Sequence, residues 1–84
     1  MNACIITFRS VTLAQRGERV LKRAGIYCMV QRTPRYMEEQ GCGYCLKITC
    51  SRIPEAVELL RSGQIPFRKI YLFHPGDKVE EMVL

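Results

Sequence analysis

Apolar and polar positions along the chain fall into blocks with two different periods. Residues 4–8 form a β-branched apolar run and predict a strand. Val11, Leu13, Ala14, Gly17, Val20, Leu21 and Ala24 then recur at helical spacing, with Arg16, Glu18, Arg19, Lys22 and Arg23 on the polar side. Ser10 stands where an N-cap is needed, and Gly25 where a left-handed C-cap is. Residues 26–33 return to a strand pattern. Pro34 ends it, because proline brings no N–H to a sheet. Residues 36–41 are polar, and residues 44–50 predict a third strand. Ser51 and Pro54 open a second helix, with Ala56, Val57, Leu59 and Leu60 as its buried side and Gly63 as its stop. Residues 67–73 predict a fourth strand. His74-Pro75-Gly76-Asp77 breaks the pattern, and residues 78–84 read as a short tail.

The order β-α-β-β-α-β predicts an α+β domain of the ferredoxin-like type. Two split βαβ units would give a four-stranded antiparallel sheet with both helices on one face. No linker or low-complexity segment interrupts the chain. Residues 1–84 therefore read as one domain, with a core over about 4–73 and a C-terminal tail over 74–84.

Composition narrows the class. Apolar residues make up 48% of the 84, enough for one modest core. No apolar run approaches the ~20 residues of a membrane span. The first residues lack a basic stretch followed by a long apolar one, so no signal peptide is expected. The net charge of +5 is spread along the chain and reads as ordinary solvation more than as a nucleic-acid patch. Five cysteines are many for this length, and the number is odd, unlike a secreted disulfide framework. Cys4 and Cys28 sit in strand-like runs, where a free thiol acts as a small hydrophobe. The expected setting is a reducing cytoplasm.

Candidate chemistry centres on Gly41-Cys42-Gly43-Tyr44-Cys45. Two thiols three positions apart can close a disulfide, grip a soft metal, or let one thiol carry a sulfur or selenium atom while the other resolves it. Gly41 and Gly43 let the backbone turn and leave the thiols open. Cys42, in the glycine turn, is the expected nucleophile, and Cys45 the resolving thiol. If Leu46 and Ile48 face the helices, alternation puts Cys45, Lys47 and Thr49 on the open face. Arg32, Arg35 and Lys47 bring positive charge that would favour a thiolate, and Glu38 and Glu39 oppose it. Cys42 and Cys45 can bridge only if the turn persists through Tyr44, since an extended segment would hold their Cα atoms about 10 Å apart against a limit of about 7 Å.

Other readings of the same residues are weaker. A thioredoxin motif precedes a helix N-terminus, and here a strand follows. A zinc site would need Cys42, Cys45 and Cys50 with His74 or Cys28 as a fourth ligand, and Cys50 reads instead as a core residue. RNA recognition would need strand aromatics that this chain lacks.

Taken together, Ile5-Ile6-Thr7-Phe8, the helix end Val20-Leu21-Lys22-Arg23-Ala24-Gly25-Ile26, Thr33-Pro34-Arg35 and Cys42-Gly43 resemble the selenium/sulfur carrier-like family, also known as DUF3343. The resemblance spans about residues 4–73. It implies a bacterial carrier of activated sulfur or selenium, with Cys42 as the carrier thiol and Pro34 and Arg35 in the same site. Cys45 departs from the family pattern, where a small non-thiol residue is common, and this opens a dithiol or metal variant. The expectation is a carrier holding a persulfide or selenopersulfide on Cys42, more a carrier than an enzyme with its own turnover. Arg35 and Lys47 would stabilise the thiolate; Pro34, Gly41 and Gly43 would shape the loop. Its partners would be a donor of the desulfurase type and an acceptor protein, with no cofactor, no bound metal, no membrane and no nucleic acid; a homo-oligomer is left open. The alternative is a metal-binding or redox-responsive module using Cys42 and Cys45 together.

Overall fold

The computed structural model describes residues 3–33, 43–74 and 78–82. Strand β1 (Ala3–Phe8) is followed by helix α1 (Val11–Arg23), β2 (Cys28–Arg32) and β3 (Tyr44–Thr49). A single 3-10 turn (Cys50–Arg52) then leads to α2 (Ile53–Ser62), β4 (Ile70–His74) and β5 (Lys78–Met82). The strands form one sheet in the order β2-β3-β1-β4-β5, and every neighbouring pair is antiparallel. β3 lies between β1 and β2, with β4 on the other side of β1, as two interleaved βαβ units require.

The sheet has five strands where four were expected. β5 lies in the stretch read as a tail, and it pairs with β4 from Ile70↔Met82 to His74↔Lys78. Its sequence, KVEEM, is mostly charged. Charge suits an outer strand, because it discourages pairing with another chain, and it also hides the strand from a search for apolar runs.

Helix α1 starts on Ser10, whose Oγ accepts the Leu13 N–H at 3.3 Å. It ends in a Schellman closure: Gly25 takes φ +80°, Ile26 N donates to Leu21 O at 2.9 Å, and Gly25 N donates to Lys22 O at 3.0 Å. Because Ile26 closes the helix, β2 begins later than the apolar run does. Helix α2 closes the same way, with Ile65 N on Leu60 O at 2.9 Å and Gln64 N on Arg61 O at 3.1 Å. Its left-handed residue is Gln64 (φ 55°), while Gly63, the expected stop, is an ordinary cap at φ −82°.

Cys4, Ile6, Phe8, Leu46, Ile48 and Ile70 on the sheet share one core with Ala14 and Leu21 of α1 and Ile53, Ala56, Val57 and Leu60 of α2. Both helices therefore cover the same face. Gly17 makes the close approach possible. A Cβ there would stand 3.1 Å from Leu60 Cδ2 and 3.2 Å from Leu46 Cδ1 and Phe8 Cζ. β4 starts at Ile70 because Thr7 engages the residues before it. Thr7 N donates to Lys69 O at 2.8 Å, Arg68 N donates to Thr7 O at 2.7 Å, and Lys69 N donates to the Thr7 hydroxyl at 3.0 Å.

Cys4 and Cys50 form a disulfide, with Cα atoms 5.1 Å apart. This corrects the reading of Cys4 as a free hydrophobe and of Cys50 as a lone core residue. The β1–β3 register ends at Ala3↔Thr49, so the chain turns out of the ladder at Cys50, beside the start of β1. The bridge ties the first strand to the turn that launches α2.

Candidate functional site

The site grows out of the β2–β3 hairpin. Its register runs from Cys28↔Ile48 to Arg32↔Tyr44. One further backbone bond, Thr33 N to Gly43 O at 3.0 Å, extends the hairpin past both strands. Gly43 thus sits at the hairpin's end, covalently joined to Cys42. Cys42, Pro34, Arg35 and Gly41 lie outside the described residues. The described part of the site is Gln31, Thr33, Gly43, Cys45 and Lys47 with the side chains packed on them.

Alternation along β3 is as expected. Leu46 and Ile48 join the helix-side core, and Tyr44 packs against it. Cys45 points to the other face, where it forms a small cluster with Ile5 and a half-buried Tyr71. Lys47 is exposed. Cys45, however, is not an open thiol: none of its surface is accessible. β3 is an interior strand, and Cys45 stands in a row between Gln31 of β2 and Thr7 of β1. A short side chain in that position is covered by its neighbours, which the sequence alone could not show.

Electrostatics at Cys45 follow from this burial. Desolvation pushes its thiol above the ordinary range, and hydrogen bonding from Thr33 and then Gln31 pulls partly back. Beside the cations Arg32, Arg35 and Lys47 of the charge pattern, the groups that favour this thiolate include two neutral donors. Thr33 is 5% exposed, and its hydroxyl has no formed hydrogen bond among the described residues. Thr33 lies diagonally from Cys45 across the β2–β3 ladder, so its hydroxyl neighbours the thiol without a formed bond to it. Thr33 and Gln31 were missed in the sequence. The one available signal was parity, since both residues share a face that only the register brings opposite Cys45.

The remaining thiols are placed elsewhere. Cys28 belongs to the helix-side core, where its Sγ donates to Glu18 O at 3.8 Å. Desolvation raises its thiol first, Glu18 adds to this, and Lys22 opposes it. Cys45 and Cys28 therefore occupy opposite faces of the sheet, and Cys50 is bridged to Cys4. Those three do not converge into the zinc ligand set considered above. Among the described residues no group of three or more His, Cys, Asp or Glu could hold a metal ion. Nor is any described helix long and apolar enough to cross a membrane.

A two-helix, antiparallel-sheet domain with a thiol-bearing hairpin is the class that fold and site define. The chain belongs to the family described as Putative Se/S carrier protein-like, whose family model matches residues 3–72. The resemblance drawn from the sequence motifs is thereby borne out. No curated protein matches the chain.

Proposed function

We propose that this protein carries sulfur or selenium as a persulfide or selenopersulfide on Cys42, taking the atom from a donor protein and passing it to an acceptor. The family match over residues 3–72, which spans the whole β2–β3 hairpin, carries this reading. In loading, the Cys42 thiolate attacks the outer sulfur of a donor persulfide. The donor's S–S bond breaks, its cysteine leaves as thiolate, and Cys42 keeps the outer atom. An acceptor thiolate repeats the step in the other direction.

Cys45 is the resolving thiol in this scheme. Its thiolate attacks the inner sulfur of loaded Cys42, a Cys42–Cys45 disulfide forms, and hydrosulfide or hydroselenide leaves; because Tyr44 is held in β3, this step needs the Tyr44 end of β3 to open first. A dithiol reductant then restores both thiols. Arg35 and Lys47 supply positive potential for the anionic sulfur, and Pro34, Gly41 and Gly43 shape its loop. We infer a ferredoxin-like domain carrying an added edge strand, a donor of the desulfurase type, and a cytoplasmic setting, in which the Cys4–Cys50 bridge must withstand the thiols that keep most cytosolic cysteines reduced.

Lifetime of the loaded form tests the division of labour. Cys45→Ser should load with one sulfur atom and hold it longer than the unsubstituted protein, because the resolving attack is gone. Equal lifetimes would remove Cys45 from the scheme. Failure of Cys45→Ser to load would show the two thiols acting as one unit.

A further inference from the structure

We propose that the Thr33 hydroxyl and the Gln31 side-chain amide form a donor cradle for the thiolate of Cys45. This deepens the carrier reading, on which it rests only for the use to which the site is put. Three observations place the cradle. Gln31 and Cys45 are register partners across β2 and β3, so they stand side by side on one face. The Thr33 N–H to Gly43 O bond, at 3.0 Å, pins Thr33 one step further along the same hairpin. The Thr33 hydroxyl is buried and lacks a formed hydrogen bond among the described residues.

An unpartnered buried hydroxyl is destabilising, because it has given up its bonds to water and gained none in return. A neutral thiol is a poor acceptor and does little to recover that cost. An anionic sulfur is a strong one, and hydrogen bonds to charged groups are about twice as strong as neutral ones. The Thr33 hydroxyl is thus unsatisfied while Cys45 is protonated and gains a strong acceptor when it is charged. Ile5 and Tyr71 keep the sulfur out of water, which strengthens each of these bonds.

Among the described residues, charged and titratable groups on this face are few. Lys47 lies two residues along β3 and is exposed, Tyr71 packs on the cluster from β4, and Lys69 pairs with Glu81 at 3.3 Å. None of them replaces the two neutral donors, which already act in the expected direction on the thiol. Cys45 is therefore held unreactive by burial and made usable by the cradle. Gln31 and Thr33 are positioning residues in this account, since they set the charge state of a sulfur without reacting.

The test is the pH titration of cysteine 13Cβ chemical shifts in the labelled, intact protein, with the Cys45 signal assigned from Cys45→Ser. Thr33→Val keeps the β-branched shape and the backbone bond to Gly43 but removes the hydroxyl. It should raise the midpoint of Cys45 thiolate formation by about one pH unit or more. Thr33→Ser should restore the midpoint, and Gln31→Leu should raise it by a smaller amount. Cys28, on the other face, should not move, which reports an intact fold in the same spectra. An unchanged Cys45 midpoint in Thr33→Val would overturn the proposal, and so would an equal shift of Cys28. No sulfur donor is used, so failure of the carrier chemistry leaves this outcome untouched, and the reverse also holds.

Discussion

Cys45 shows how one side chain's surroundings set both its chemistry and its pH response. Its thiol and that of Cys28 are raised by desolvation in the folded state. A raised thiol holds its proton after the unfolded chain has lost its own, from about pH 8.5 upward. Their stability contribution is then complete below that value and is lost as pH rises through the folded-state values. Melting temperature should fall as pH rises above about 8.5. The fall should be shallower in Cys45→Ala. An identical slope in the two proteins would show that Cys45 titrates as an ordinary exposed thiol. The face on which Cys45 lies was legible from strand alternation. Its burial was not, because that depends on Gln31, Thr7 and Ile5 arriving from other strands.

Element ends and crossings carry their own costs. Gln64 is the one described non-glycine residue with positive φ, and it closes α2 where α1 uses Gly25. A left-handed conformation without glycine costs about 1 kcal/mol or more. Gln64→Gly should therefore raise stability by about 1 kcal/mol and the melting temperature by about 4–8 °C. No gain on thermal unfolding would mean that the Gln64 side chain makes a compensating contact. At the helix crossing the sign is opposite. Gly17→Val would drive two methyl groups toward Leu60, Leu46 and Phe8 and should cost about 2–3 kcal/mol. Thr12→Val, on the exposed side of α1, should stay within about 0.5 kcal/mol. Denaturant midpoints of the two variants compare them directly. Both helices and the first four strands were legible because each has an apolar period. β5 was not, since an edge strand of charged residues has no buried face to announce it. The trimmed starts of β2 and β4 depend on backbone bonds made by Ile26 and Thr7.

At the scale of the whole molecule, the Cys4–Cys50 bridge closes a loop with a sequence separation of 46 residues. In the chain-entropy account a loop of that length contributes about 4 kcal/mol. Reduction should lower the melting temperature markedly, and the double variant Cys4→Ala/Cys50→Ala should reproduce the loss. Unchanged melting of a protein whose five thiols all alkylate would show that the bridge is dispensable. The pairing was hidden in the sequence because β1 and β3 are distant in the chain and only their register brings the two cysteines together. What was legible was the family, through Thr33-Pro34-Arg35 and Cys42-Gly43, and our proposal builds on it a single transferable sulfur or selenium atom on Cys42.

Intact mass tests that claim most directly. The protein and its Cys42→Ser variant are each incubated with a cysteine desulfurase and cysteine, then weighed without reductant. The account predicts one added sulfur atom on the unsubstituted protein, removed by a dithiol, and none on Cys42→Ser. Equal loading of the two proteins would contradict it.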